Sequence, residues 1–166
     1  ESALSPNDAF DTPRPEGSNF LQDYILHPNT AGLDFLNSSP YGRRVAFDDN
    51  SADIYFEYDG AWFINVRNSL IDIQDMGYTD SFDDISYSPT SGWSAVGWVE
   101  AIAGHTYVVW TADDHYAKIR VTSVGEPVNS GISIDWGYQL STSTYGQLEL
   151  KPVVRPQHDP ATYLRR

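Results

Sequence analysis

Short runs of β-branched and aromatic residues, separated by turn residues, recur along the middle of this chain. Such runs are typical of strands, and the Asp59-Gly60 pair between two of them is a strong hairpin signal. The strands are predicted at 44–47, 52–58, 61–66, 98–102, 106–111, 116–124, 132–140 and 146–151. Only 68–76 is compatible with a helix. The pattern predicts an all-β, antiparallel sandwich, immunoglobulin-like or jelly-roll-like, with extended N- and C-terminal segments.

The stretch GHTYVVWTADDHYAKIRV, at 104–121, predicts a β-hairpin with its turn at 112–115. The predicted core face pairs Trp110 with Ala117, Val108 with Ile119 and Thr106 with Val121, and the other face pairs Val109 with Lys118 and Tyr107 with Arg120. His105 lies roughly 23 Å from the turn that holds His115, at ~3.3 Å per residue. The two histidines are therefore not expected to share a metal or a haem, and the stretch is interpreted as a hairpin rather than a ligand site.

This hairpin resembles one found in β-rich domains of secreted bacterial surface proteins, in which a Gly-x-Thr-Tyr strand leads through an acidic turn to Tyr-Ala-Lys-Ile-Arg-Val. The segments AGLDFLNSS at 31–39 and ADIYF at 52–56 are similar to earlier elements of such domains. Haem-scavenging surface lipoproteins of the HmuY type have loosely similar hairpins. The resemblance implies an extracellular or cell-surface bacterial β-domain, and it does not imply haem binding.

The net charge of −13 argues against nucleic acid and anionic membranes as partners, because both require clustered lysine and arginine. No apolar run approaches the ~18 residues of a transmembrane helix. The charge is uneven along the chain: an N-terminal arm at 1–19 is acidic, a domain at 20–150 carries most of the negative charge, and a proline-containing tail at 151–166 is basic. The negative charge favours cations, neutral polymers such as polysaccharides, or another protein as partners, including another copy of the chain. For the asymmetry between the ends, the competing interpretation is that both ends are only solvated.

The two ends suggest how copies of the chain could associate. An open sandwich has unpaired sheet edges, and an extended segment of a neighbour can supply a missing strand. Candidate donor residues are Phe20, Tyr24 and Leu26 after the arm, and Leu148 and Leu150 before the tail. We therefore expect a secreted structural subunit that polymerises head-to-tail by strand addition into an extracellular fibre or surface appendage.

The alternative is a non-catalytic carbohydrate-binding or adhesin module of a larger bacterial surface protein. Aromatic side chains can stack on sugar rings, and Trp93, in a loop rich in serine, proline and glycine, is the best candidate for an exposed platform, together with Trp98. The competing interpretation is that most of the tryptophans fill the core.

Motifs for catalysis and for metal binding are weak. Asp48, Asp49, Asn50 and Asp53 form a possible calcium loop, but the spacing departs from that of an EF-hand, and a solvated turn is the competing interpretation. The GWSAVG segment at 92–97 is one residue too long for a nucleophile elbow. The acidic stretch 80–84, with Glu100, does not define a facing carboxylate pair. We therefore expect neither enzymatic activity nor a cofactor.

Overall fold

A computed structural model describes residues 14–35, 40–89, 91–125 and 130–140. These residues form ten strands and two short 3-10 turns, at Pro28–Thr30 and Phe82–Asp84. The strands are β1 (Glu16–Leu21), β2 (Gly32–Asp34), β3 (Arg43–Val45), β4 (Ile54–Tyr58), β5 (Trp62–Val66), β6 (Asp72–Tyr78), β7 (Trp98–Glu100), β8 (His105–Trp110), β9 (Tyr116–Val124) and β10 (Ile132–Tyr138).

The strands form two antiparallel sheets of five strands each. Sheet 1 has the order β1-β10-β9-β8-β6, and sheet 2 has the order β3-β2-β4-β5-β7. The main core is built from alternate residues of both sheets, such as Ile54 and Ile64 from sheet 2 and Ile119 and Ile134 from sheet 1, all fully buried or nearly so. The predicted all-β sandwich is thus confirmed for the described part of the chain.

The turn predicted at Asp59-Gly60 is present in the structure, between β4 and β5. Tyr58 pairs with Trp62 across the Asp-Gly turn, and Gly60 has a φ of 79°, in the left-handed region that favours glycine. The predicted β4–β5 hairpin is therefore confirmed.

The register of the β8–β9 hairpin differs by one residue from the prediction. Val109 pairs with Ala117 and Tyr107 with Ile119. The turn spans five residues because the Thr111 N–H donates to the His115 carbonyl oxygen, and Asp114 adopts a φ of 72°. A slip of one residue exchanges the two faces of a strand. Tyr107 and Val109 therefore face the core between the sheets, while Val108 and Trp110 face outward.

Two further sequence-based assignments are corrected. The possible helix at 68–76 is replaced by strand β6, in which Ile73 is fully buried and pairs with Val109. Residues 16–19, assigned to the N-terminal arm, lie in β1, which pairs with β10 along its whole length. Strand β1 thus belongs to the sandwich.

The candidate strand donors from the N-terminal region are already part of this domain. Phe20 lies in β1 opposite Ser133 of the same chain, and Tyr24 is buried against Tyr55 and Phe47 on the outer face of sheet 2. Leu26 is half exposed in the following turn. Leu148 and Leu150 lie outside the described residues, as do the predicted strand at 146–151, the tail at 151–166 and the first thirteen residues of the arm.

Backbone carbonyl groups of three edge strands accept hydrogen bonds from residues that are not paired with those strands. At β1, the Phe20 carbonyl oxygen accepts from Arg44 Nη1 at 2.9 Å. At β6, the Ile73 carbonyl oxygen accepts from the Ser94 N–H at 2.9 Å. At β7, the Trp98 carbonyl oxygen accepts from Ser94 Oγ at 2.9 Å. These contacts occupy backbone groups that an added strand would need.

Candidate functional site

A pocket rich in acidic side chains lies at one end of the sandwich. It is formed where β2 ends, where the loop before β4 returns, where β8 turns into β9, and where β10 ends. Its cavity has a volume of about 200 Å³. The residues lining this acidic pocket are Asp34, Phe35, Ser51, Asp53, Ala112, Asp113 and Tyr138.

Asp53 is held in the pocket by the backbone of β2. Its N–H donates to the Leu33 carbonyl oxygen at 2.8 Å, and its Oδ2 accepts from the Phe35 N–H at 2.7 Å. Burial raises the pKa of the Asp53 carboxyl to about 7, the Phe35 N–H opposes this rise, and the nearby charges of Asp34 and Asp113 add to it. Near neutral pH the side chain therefore exchanges between a hydrogen-bond donor and an acceptor.

Asp34 and Asp113 complete the acidic wall. Asp34 is buried at the end of β2, directly opposite Arg43 in the β2–β3 ladder, and its Oδ2 accepts from Arg43 Nη2 at 2.8 Å. Asp113 lies at the tip of the β8–β9 turn, where its Oδ1 accepts from Thr111 Oγ1 at 2.6 Å. One carboxylate oxygen of Asp34, of Asp53 and of Asp113 accepts a hydrogen bond from the protein. The other carboxylate oxygen of each makes no hydrogen bond to the described residues.

The buried side chain of Tyr138 lines the same pocket. The residue is 1% exposed, and its ring stacks between Phe35, with centroids 6.1 Å apart, and His115, with centroids 5.2 Å apart. The hydroxyl makes no hydrogen bond to any residue in the described part of the chain. Burial raises the pKa of Tyr138, and the charges of Asp113, Asp53 and Asp34 raise it further.

The acidic pocket has room for a ligand larger than a metal ion. Within 14–35, 40–89, 91–125 and 130–140, no three histidine, aspartate or glutamate side chains are grouped closely enough to hold a metal. The cavity is well above the roughly 10–15 Å³ that a single water molecule requires. Three unused carboxylate oxygens and one unused hydroxyl around such a space can hold a small molecule with several polar groups.

A larger and more open groove lies beside β1 and β10, with a volume of about 400 Å³. Its acidic groups are engaged with the protein: Arg14 Nη2 lies 2.6 Å from Glu16 and 3.2 Å from Asp83, and Asp135 accepts from Ser18 Oγ at 2.7 Å. These contacts give the groove a structural role, and the acidic pocket is the better candidate site.

The four residues of the possible calcium loop are not brought together. Only Asp53 lines the acidic pocket. Asp49 accepts instead from the N–H and Oγ of Ser51, at 2.9 and 2.7 Å, and these bonds lower the pKa of its carboxyl. Asp48 uses its backbone carbonyl to accept from Arg67 Nη2. The segment is a turn stabilised by its own side chains.

The expected tryptophan platform is not formed, because Trp93 is buried. Its ring packs 5.7 Å from that of Trp110 and 6.5 Å from that of Tyr116, and the side chain is 9% exposed. The physical reason is that the outer face of sheet 1 is apolar at Val108, Trp110 and Tyr116, so the loop tryptophan covers it. Trp98 packs edge-on against Phe63 in sheet 2, away from Trp93.

The hairpin histidines have separate environments. His105 Nδ1 lies 2.8 Å from Asp75 Oδ1 of the neighbouring strand β6, whereas His115 Nδ1 lies 2.8 Å from the Gln139 carbonyl oxygen, beside the acidic pocket.

The positions of Asp34, Asp113 and Tyr138 in the acidic pocket were not predicted from the sequence. Their common signal is a polar side chain at or just beyond the end of a strand, where loops of different strands meet.

No helix among the described residues is long and apolar enough to cross a membrane. No family model, no curated protein and no solved structure matches this chain.

Proposed function

We propose that this protein is a non-catalytic recognition module whose acidic pocket binds a small hydroxylated ligand, such as a sugar unit at the end of a glycan. The observation that carries the proposal is the Tyr138 side chain, which is 1% exposed, lines the cavity together with three aspartates, and has a hydroxyl that makes no hydrogen bond to the described residues. A ligand hydroxyl in the cavity can bond this phenolic oxygen.

The chemistry of the pocket suits a sugar. Carboxylate oxygens accept hydrogen bonds from hydroxyl groups, and a tyrosine hydroxyl both donates and accepts. The stacked rings of Phe35 and His115 fix the orientation of Tyr138, so the site needs little rearrangement to bind. Together with the resemblance of the 104–121 hairpin, this supports a role outside the cell, on a bacterial surface.

The test is a glycan array followed by calorimetric titration, with Tyr138→Phe as the diagnostic variant. This change removes the hydroxyl and keeps the stacked ring, so binding should weaken by roughly tenfold, the equivalent of about 1.4 kcal/mol. Tyr107→Phe is the matched control, because the Tyr107 hydroxyl donates to the Glu100 carbonyl oxygen and accepts from the Ile102 N–H, away from the pocket. That variant should lose stability but keep its ligand. Equal binding by wild type and Tyr138→Phe would contradict the proposal.

A second candidate is a secreted structural subunit that assembles head-to-tail. The observation that favours it is the charge asymmetry: four basic residues and one acidic residue lie at 151–166, on a chain whose net charge is −13. Because Arg44 of β3 bonds an edge carbonyl of β1, and Ser94 of a loop bonds edge carbonyls of β6 and β7, we expect docking through the terminal segments rather than through these three edges. Leu148 and Leu150 remain the candidate donors.

Negative-stain electron microscopy tests the assembly. The full chain is compared with Leu148→Ser/Leu150→Ser and with a variant in which Lys151, Arg155, Arg165 and Arg166 are glutamines. Filaments of the full chain that disappear in the leucine variant support strand donation, and filaments that disappear only in the glutamine variant support a charge contact. Monodisperse particles of the full chain at high concentration and low salt would exclude the fibre.

A further inference from the structure

We propose that the acidic pocket selects ligands that carry a positively charged nitrogen, an ammonium or guanidinium group, over neutral ligands of the same shape. This inference rests on the proposed binding function of the same pocket and names the class of ligand. Its observations are the three carboxylates with unused oxygens that line one cavity, and the Tyr138 side chain, 1% exposed and without a hydrogen bond from its hydroxyl to the described residues, that lines the same cavity.

Acidic side chains predominate in the lining of the pocket. Among the lining residues, Asp34, Asp53 and Asp113 are acidic and none is basic. The guanidinium of Arg43, which is 41% exposed, lies 2.8 Å from Asp34 Oδ2, so it offsets one of the three carboxylates. His115 packs against the face of Tyr138, and its Nδ1 is bonded to the Gln139 carbonyl oxygen. Asp114, in the same turn as Asp113, accepts from Trp110 Nε1.

The pocket offers more hydrogen-bond acceptors than donors. The unused carboxylate oxygens of Asp34 and Asp113 are acceptors, and Ser51 Oγ already donates to Asp49 Oδ1 at 2.7 Å. The donors left in the pocket are the Tyr138 hydroxyl and, in the molecules where it is protonated, the Asp53 carboxyl, whose pKa is raised to about 7. An ammonium has three donors and no acceptor, and a guanidinium has five donors and no acceptor, whereas a neutral sugar must also place its own acceptors. An acceptor-rich pocket is complementary to a ligand rich in donors.

The cavity, at about 200 Å³, is large enough for an organic cation. The described acidic side chains are not grouped to share one metal ion, so a small inorganic cation would not contact all three carboxylates. An organic cation is larger and carries N–H groups in several directions, and charge-assisted hydrogen bonds of this kind are roughly twice as strong as neutral ones. The required cation can belong to a free amino sugar or to a lysine or arginine side chain of a peptide, including the basic tail of another copy.

Calorimetric titration of the full chain with matched pairs of probes tests the selectivity and separates the two sources. Glucosamine is compared with glucose and with N-acetylglucosamine, and arginine amide with citrulline amide, which replaces the guanidinium by a neutral urea group. We expect the charged member of a pair to bind roughly tenfold tighter or more. A preference for glucosamine within its set indicates an amino sugar, and a preference for arginine amide within its pair indicates a peptide side chain.

Two variants with the same change in net charge show whether the effect belongs to the pocket. Asp113→Asn should remove most of the preference, whereas Asp80→Asn, on an exposed loop outside the pocket, should leave it unchanged. Equal affinity for charged and neutral probes would overturn the selectivity and leave the proposed function standing. If neither these probes nor the array glycans bind, the proposed function fails together with the inference. Equal effects of the two variants would attribute the preference to the general negative charge of the protein and overturn the inference.

Discussion

At the scale of single residues, the carboxyl group of Asp53 lies in a buried environment that makes its ionisation unfavourable. The residue lies in the acidic pocket together with two other carboxylates, and the only hydrogen bond of its carboxyl group within the described residues is the one from the Phe35 N–H. Burial raises the pKa of this carboxyl to about 7, from an ordinary value of 3.8. The folded protein therefore holds a proton on Asp53 at pH values where the unfolded chain has released it.

The stability of the protein should depend on this proton. Because the folded-state pKa is raised, the contribution of Asp53 favours folding at pH 4 and decreases as the pH rises toward about 7. Asp53→Asn keeps an acceptor for the Phe35 N–H and carries no charge, so its free energy of unfolding should fall less than that of wild type between pH 4 and 7. Urea unfolding at a series of pH values measures the difference.

Asp49→Asn is the control for Asp53→Asn. The bonds from Ser51 lower the pKa of Asp49, so any contribution of that carboxyl is lost only as the pH falls through and below its ordinary value. The slope of stability between pH 5 and 7 should be the same in Asp49→Asn and in wild type. A wild-type slope in Asp53→Asn would show that the Asp53 proton is not linked to folding.

At the scale of elements, loops decide how well the sheets are covered. The loop after β6 carries Trp93 onto Trp110 and Tyr116, which closes the outer face of sheet 1. A similar cover on sheet 2 is formed by Tyr24 and Phe47 over Tyr55. Each face of strand β8 is thus buried, and the strand is apolar on both faces.

Removal of the Trp93 ring should therefore lower the stability of the protein. Trp93→Ala removes a buried ring and should lower the free energy of unfolding by about 3–5 kcal/mol, as measured by chemical denaturation. The change should not alter ligand affinity at the acidic pocket under conditions where the variant is folded. Leu70→Ala, at a side chain that is 58% exposed, is the comparison and should change the stability by less than about 0.5 kcal/mol. A small effect of Trp93→Ala would mean that the ring does not cover the sheet in solution.

Alanine substitutions at Gly60 and Gly42 distinguish the cost of backbone strain from the cost of a steric clash. Gly60 has a φ of 79° and open space where a Cβ would lie, whereas Gly42 has a φ of 63° and would place a Cβ only 2.2 Å from ring atoms of Trp136. Gly60→Ala should cost about 1–2 kcal/mol, the ordinary penalty of a left-handed residue. Gly42→Ala adds the displacement of Trp136, so it should cost clearly more. Thermal unfolding of both variants checks the order, and equal losses would show that Trp136 moves freely.

At the scale of the whole molecule, the net charge of −13 should give salt two opposite effects. Added salt screens the repulsion among acidic groups, so the midpoint of thermal unfolding should rise between about 0.05 and 0.5 M sodium chloride. The same screening weakens the attraction of the acidic pocket for a cationic probe, so the affinity for that probe should fall. Differential scanning calorimetry and titration at the same salt concentrations measure both effects. An unchanged affinity across this range would mean that charge does not drive binding at the pocket.

The class of fold was determined by the sequence itself. Alternating β-branched and aromatic runs, and turns such as Asp59-Gly60, are properties of neighbouring residues, and they specify strands and hairpins without reference to the rest of the chain. This is why the all-β sandwich and the β4–β5 hairpin could be predicted. The β8–β9 hairpin was predicted as a pair of strands, but its register was not, because a strand that is apolar on both faces contains no signal for which face meets the core.

The candidate site was decided by the tertiary structure. Asp34, Asp53, Asp113 and Tyr138 lie in separate segments and come together only because strands of both sheets end at the same end of the sandwich. The burial of Trp93 has the same origin, since a tryptophan in a polar loop becomes core when an apolar sheet face lies beneath it. Strands and tight turns depend on the order of neighbouring residues in the sequence. The clustering of carboxylates in a pocket and the burial of Trp93 depend on contacts between residues far apart in the chain.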